Sequence, residues 1–247
     1  MRLHLQLPVT ACPGMKLIQI PFSHNCVKAR LGLERKRLRY DVENIRPTDR
    51  KSVVRQSNQG LVPVLVDGDR VVPDSTKILL YLEHKYPEPP LLPREPGRRT
   101  ECLVLEDWVD RTFMALSRRI AYHTVLRTPG RLGSMFFPRS SGLKRRIEER
   151  IARRLVARRF RISEGRYPRD VADAKEAAAL ATARLGTAPG LFGAELTIAD
   201  LALASMTAPL VADPAVAGDA AVRRLLEWGE PIVGTEVLAV YRGDSRR

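Results

Sequence analysis

The chain has 247 residues, of which 44% are apolar and 28% charged. That balance excludes wholesale disorder and leaves room for one large domain or two modest ones. Its longest charge-free apolar stretch, residues 201–212, falls short of the roughly 20 residues a membrane helix needs. The formal charge of +14 is partly local: residues 144–169 carry eleven basic and three acidic side chains, a balance of +8. Such a patch attracts anions of several kinds. It holds no nucleic-acid motif and no interleaved aromatic row, which argues against nucleic acid as a partner.

At the start, Val9, Thr10, Ala11 and Cys12 resemble the end of a lipoprotein signal. His4, Gln6 and Pro8 break the continuous apolar run of about 7–15 residues that a signal requires. Residues 1–14 are therefore read as a loose extension outside the fold. Residues 16–21 form a short apolar run suited to a buried strand, and 26–36 place Val27, Leu31 and Leu33 among charges as a helix. Leu38, Tyr40, Val42 and Ile45 restore near-alternation, predicting a second strand. After a polar connection, the apolar runs 61–66 and 70–73 flank Asp67 and Gly68, a strong hairpin signal. Asp74 and Ser75 then cap a helix carrying Ile78, Leu79 and Leu82. The order βαβ followed by ββα predicts an α/β, thioredoxin-like domain with a mixed sheet over residues 15–86.

Five prolines between 87 and 97 predict a semi-rigid linker. Beyond it only helical spacing appears, so residues 98–240 are expected to form an all-α domain, with 241–247 as a tail. Leu105, Val109, Phe113, Leu116 and Ile120 mark its first helix. Leu143, Ile147, Ile151 and Leu155 form a stripe on a basic helix, expected to pack on the domain core while the charged face meets solvent. An alanine-rich helix spans about 170–185. Thr197 and Asp200 resemble a capping box with Asp in place of the usual Glu, and a last helix covers about 220–228. Three scattered cysteines suit a reducing, cytoplasmic compartment, and four scattered histidines give no metal site.

Three segments carry a more specific signal. Residues 22–30 (Phe-Ser-His-Asn-Cys-Val-Lys-Ala-Arg), 60–65 (Gly-Leu-Val-Pro-Val-Leu) and 74–78 (Asp-Ser-Thr-Lys-Ile) resemble, in order and spacing, the glutathione site of bacterial glutathione S-transferases. The proline-rich linker and the Thr197–Asp200 cap extend the likeness over most of residues 15–240. Within the family, the Ser23-x-Asn25 turn resembles that of serine-type members and of the nu class.

A thiol near pKa 8.5 is mostly protonated at neutral pH, and a helix N-terminus favours the thiolate. By spacing alone Ser23 or Asn25 is a helix cap as readily as a catalytic group. The resemblance implies that Ser23 donates a hydrogen bond to the glutathione thiolate and that Asn25 assists. Cys26 completes a Ser-x-x-Cys turn and is a third candidate for handling sulfur, although a small buried residue fits the position as well. The resemblance further implies that Val62, before a cis Pro63, pairs with the cysteinyl backbone. Asp74 and Ser75 would hold the γ-glutamyl group, with Gln59 contributing. Leu61 departs from the family, where a polar residue is usual, and residues 57–60 (Ser-Asn-Gln-Gly) stand where Asn-Pro-x-Gly is usual.

Trp108, Phe113, Met114 and Tyr122 are the candidates for an electrophile pocket between the domains. The expected function is a detoxifying glutathione transferase that activates the glutathione thiol for attack on small apolar electrophiles. Glutathione would be the co-substrate, no metal is needed, and a homodimer is the family expectation. Alternatives are a non-catalytic module that binds a ligand or partner, and an isomerase, dehalogenase or reductase on the same site. Peripheral membrane contact through the basic helix is the less favoured reading of that helix.

Overall fold

The structure, a computed structural model, describes residues 10–137 and 139–244, with the main chain alone for residues 10–13. The chain divides into two compact units, residues 1–92 and 93–247. The expected extension at 1–9 and the end of the expected tail, 245–247, lie outside the described residues.

The first unit runs β1 (Thr10–Gln19), α1 (His24–Arg35), β2 (Leu38–Asn44), α2 (Lys51–Ser57), β3 (Val64–Asp67), β4 (Arg70–Pro73) and α3 (Ser75–Lys85). The strands form one mixed sheet in the order β2-β1-β3-β4, with β1 parallel to β2 and the other neighbours antiparallel. This is the thioredoxin-like arrangement expected from the pattern. One boundary is corrected: β1 starts at Thr10, which pairs with Leu38, so residues 10–14 belong to the sheet. The pairing shifts register between Ala11 and Lys16, around Gly14 with φ +87°. That irregularity breaks the alternation and hides the strand's beginning from pattern reading.

Strand periodicity splits the core by face. Met15, Leu17 and Leu65 pack with Ala29 and Leu33 of α1 and Ile78 and Leu82 of α3. Ile18 and Val64, one residue out of phase, point to the other face and pack with Val53 of α2. Gly32 lets α1 and α3 approach closely, since a Cβ there would lie 2.0 Å from Leu79 Cδ2.

The second unit contains α4 (Pro96–Arg127), α5 (Arg131–Phe136), α6 (Gly142–Phe160), α7 (Tyr167–Leu185), α8 (Ile198–Thr207), α9 (Pro214–Ala217), α10 (Ala220–Val233) and α11 (Thr235–Arg242). A 3-10 turn, Ala208–Ala212, links α8 to α9. Helix α4 starts inside the expected linker. Pro96 occupies its first position, where a fixed φ suits helix entry, and Glu95 accepts hydrogen bonds from Gly97 N (2.7 Å) and Arg98 N (2.6 Å). Helix α10 runs past the expected end near 228 and continues through Pro231.

Every residue of α8 is buried, so it forms the centre of this unit, with Val109, Phe113, Leu116 and Ile120 of α4 also in the core. The capping box expected at its start is present. The fully buried Asp200 carboxylate accepts from Thr197 N (2.8 Å), Thr197 Oγ1 (2.7 Å) and Leu191 N (2.7 Å). Buried Asp170 receives two hydrogen bonds from Arg119, at 2.8 and 2.6 Å. Asp213 ties α4 to α7 by accepting from Thr124 Oγ1 and Tyr167 Oη, each at 2.8 Å.

The basic helix departs from expectation. On α6 the buried residues are Glu149, Ala152 and Val156, whereas Leu143, Ile147, Ile151 and Leu155 are 72%, 43%, 55% and 62% exposed. The face that packs inward is short and partly polar. Arg153 braces it by bonding Glu149 (3.0 Å) and the Leu126 carbonyl. The apolar stripe therefore faces solvent.

Candidate functional site

Strand register brings the three signal segments to one end of the first unit. Ile18 pairs with Val64, and Val64 pairs with Pro73. The end of β1, the start of β3 and the end of β4 therefore lie side by side. From these ends issue the turn carrying Ser23, the Val62–Pro63 peptide and the Asp74–Ser75 helix start.

In the first turn, Ser23 N donates to Ile20 O (2.9 Å) and Val27 N donates to Ser23 O (2.9 Å), so Ser23 is the residue before α1. Its side chain makes no capping hydrogen bond, is half-exposed at a helix N-terminus, and lies in hydrogen-bond reach of the Cys26 thiol beneath it. Asn25, also half-exposed, sits in the first turn of α1.

Cys26 differs. It is fully buried, and burial pushes its thiol up to about 11 despite hydrogen bonds involving Ile20 and Ser23. A protonated, inaccessible thiol is no nucleophile, so Cys26 is removed from the candidates for sulfur chemistry.

At the second segment the Val62–Pro63 peptide is cis. Pro63 is buried and its carbonyl accepts from Asp74 N at 3.3 Å, which joins the second and third segments. Among the described residues, the N–H and C=O of Val62 take part in no hydrogen bond. Gln59 follows Asn58, whose φ of 56° ends α2, and its carbonyl accepts from Ser57 Oγ at 3.3 Å.

At the third segment Asp74 holds φ 80° and ψ 135°, a conformation costly for a residue with a Cβ, of the order of 1–3 kcal/mol. Its carboxylate accepts from Lys77 N at 3.1 Å as the cap of α3. Ser75 is buried at the first position of that helix. The capping role expected of Asp74 is thus present.

Sequence reasoning missed the braces beneath this site. Arg30 donates from Nη1 to Gln19 Oε1 (2.7 Å) and to Pro21 O (3.1 Å), so it clamps both ends of the strand-to-helix turn. Gln19 Nε2 in turn donates to Asn44 Oδ1 at 3.0 Å, tying β1 to the end of β2. Lys28, with no exposed surface, reaches from α1 to Thr76 Oγ1 at 2.9 Å, linking the two helix starts. Two signals were available: Gln19 interrupts an apolar strand, and Lys28 lies among Val27, Ala29 and Leu31.

The four electrophile-pocket candidates spread round α4. At about 100° per residue, Phe113 and Met114 lie about 140° and 240° from Trp108. Phe113 is fully buried in the core, in edge contact with Trp108 (centroids 5.9 Å apart). Tyr122 stacks on Phe160 of α6 at 5.3 Å and meets Phe136 edge-on at 6.4 Å. Trp108 lines two open clefts of the second unit, one of about 260 Å³ with Leu105, Leu180 and Leu203 and one of about 390 Å³ with Thr112 and Leu116. The four therefore do not form one wall. Among the described residues no group of metal-ligating side chains occurs, and no helix is long and apolar enough to cross a membrane.

Residues 17–90 match the family model for the glutathione S-transferase N-terminal domain. The match covers less than a third of the chain and assigns that domain to the first unit alone.

Among curated relatives, glutathione S-transferase Z1 of Arabidopsis thaliana is 62% identical over 40 residues, 16% of this chain and 18% of that protein. A stringent starvation protein A homolog of Coxiella burnetii is 32% identical over 95 residues, 37% of this chain and 43% of that protein. The chain thus spans less than half the length of either relative. Two solved structures extend the fold over nearly the whole chain. A glutathione S-transferase from Rhodospirillum rubrum has a TM-score of 0.64 at 22% identity, covering 92% of this chain and 91% of that one. The beta-etherase LigF from Sphingobium has a TM-score of 0.68 at 20% identity, covering 94% and 100%.

Proposed function

We propose that this protein is a glutathione transferase that binds glutathione at the sheet end described above and activates its thiol. The observation that carries the reading is the Ser23 hydroxyl, half-exposed before α1 and unused for capping. In the proposed complex Val62 pairs through its main chain with the cysteinyl unit, as an added strand would. Ser75 and the first N–H groups of α3 receive the γ-glutamyl carboxylate, and Asp74 faces the ammonium. Gln59 borders the same ligand.

Ser23 Oγ–H then donates to the sulfur and Asn25 supplies a second donor. The thiol proton leaves to water. The thiolate pair attacks an electrophilic carbon, a carbon–sulfur bond forms, and the leaving group departs with its bonding electrons. Isomerisation, dehalogenation or ether cleavage would use the same groups. The family's homodimer and a cytoplasmic location belong to this reading.

Leu61, 60% exposed at a position where the family usually has a polar residue, favours a second reading as a non-catalytic binding module. Calorimetric titration of glutathione into wild type and Ser23→Ala, with chlorodinitrobenzene conjugation alongside, separates the two. The transferase reading expects both to bind and kcat/KM of the variant to fall about 10- to 100-fold, the worth of one hydrogen bond to a charged group. Its pH–rate profile should shift upward by about one unit. Binding without turnover across a broad electrophile panel selects the module. Absence of binding in both refutes the glutathione site itself.

A further inference from the structure

Beyond this reading, and independent of it, stands helix α6. Its solvent side carries two parallel rows at four-residue spacing: Leu143, Ile147, Ile151 and Leu155, and beside them Arg146, Arg150, Arg154 and Arg158. Both rows are exposed along their length. At 100° per residue each arginine lies about 60° from the apolar residue three positions before it, so the rows share one face about 22 Å long. None of the four arginines forms an ion pair among the described residues. Glu149, by contrast, is turned inward onto Arg153. The inner face, Glu149, Ala152 and Val156, anchors the helix to its own unit.

We propose that α6 is a membrane-surface helix that lays its Leu/Ile row into the headgroup–acyl boundary of an anionic bilayer, with the arginine row on lipid phosphates. Charge complementarity selects the occupant. A second copy of the same face would set four unpaired arginines against four others. A nucleic acid would satisfy the arginines but leave the aliphatic row, which has no aromatic member, without a partner. An anionic bilayer takes both rows, because long basic side chains reach up to phosphate while their neighbours sink into hydrocarbon. The chain's +14 charge adds attraction to the same surface.

The test is sedimentation of the full chain with vesicles of phosphatidylcholine, alone or with about one third phosphatidylglycerol, at about 0.1 M salt. Retention is expected on the anionic vesicles only. Arg150→Gln/Arg154→Gln should weaken it more than about tenfold, at about fivefold for each basic residue near the surface. Ile147→Ser/Ile151→Ser should weaken it by at least as much, through lost apolar insertion. Circular dichroism of both variants should match wild type, since all four positions are exposed.

Absence of retention overturns the proposal. So does retention indifferent to the isoleucine pair, which would reduce the effect to net charge. Equal affinity for polyglutamate or duplex DNA at the same salt overturns it too, in favour of an acidic protein or nucleic acid.

Discussion

Asp200 should be the residue on which the helical unit's stability turns. Asp200→Ala removes an acceptor that is fully buried and holds three donors at 2.7 to 2.8 Å: Leu191 N–H, Thr197 N–H and the Thr197 hydroxyl. Each orphaned buried donor costs roughly 1–3 kcal/mol, and part is recovered as the hydroxyl turns or water enters. A net loss of about 3–5 kcal/mol follows, comparable with breaking a buried polar network elsewhere. For a unit of this size each kcal/mol lowers Tm by about 2–4 °C, so a fall of about 6–20 °C is expected in scanning calorimetry. Asp200→Asn keeps the shape but sets an NH2 group against the donors, so it should lose at least half as much. Thr197→Ser retains the hydroxyl and should stay within about 3 °C. If Asp200→Ala also stayed within 3 °C, the idea that this carboxylate holds the start of α8 would be refuted.

Gly32→Ala gains about 1 kcal/mol of helix propensity but places a Cβ 2.0 Å from Leu79 Cδ2. Overpacking of about 1–3 kcal/mol should win, seen as a lower urea midpoint with unchanged m. Arg30→Ala should cost about 1–3 kcal/mol by stranding buried Gln19 Oε1. If the turn depends on this brace, the same variant should weaken glutathione binding in calorimetry. Cys26 and Cys102, both buried with thiols pushed up by burial, should resist iodoacetamide at pH 8 until the protein is unfolded. Mass-mapped labelling of native Cys26 would contradict its exclusion from catalysis.

Burial works against the Asp67 carboxylate, but hydrogen bonds from Lys85 (2.6 Å) and Tyr81 (2.7 Å) outweigh it and hold the group below its ordinary range. Its stabilisation is therefore present above the unfolded value near pH 4 and lost as pH falls through the folded one. Wild type should exceed Asp67→Asn by less than about 1 kcal/mol at pH 7, because Lys85 is partly exposed, and the gap should close in acid denaturation.

Most of the first unit is legible because its pattern is local. Alternation marks β2, the Asp67–Gly68 turn marks the hairpin, and Asp74 marks the start of α3. The start of β1 is not legible, because the register shift beyond Ala11 disguises it. Helix α4 begins at a proline that looks like linker until the Glu95 cap is seen. The site's three segments are visible as motifs, but their meeting depends on register between strands more than forty residues apart. Arg30, Gln19 and Lys28 escape because their partners are distant in sequence. The α6 stripe misled for a related reason: its period is correct for packing, yet a period does not say which face finds a neighbour. The inward face is chosen by Ala152, Val156 and the Glu149–Arg153 pair.

Lys36 settles where the first unit can be cut. Its ammonium, buried at the end of α1, holds Glu83 (2.6 Å) and the carbonyls of Pro87 (3.3 Å) and Pro89 (2.7 Å), and Glu83 also receives Leu91 N at 2.8 Å. The chain after α3 is thus a fastening of the sheet domain, although by sequence it reads as spacer. A gene fragment ended at residue 86, where the last helix stops, would expose a lysine stripped of two acceptors. One ended at residue 92 keeps the fastening whole, and that is the piece with which to reconstitute the sheet domain, or to graft it onto another helical partner.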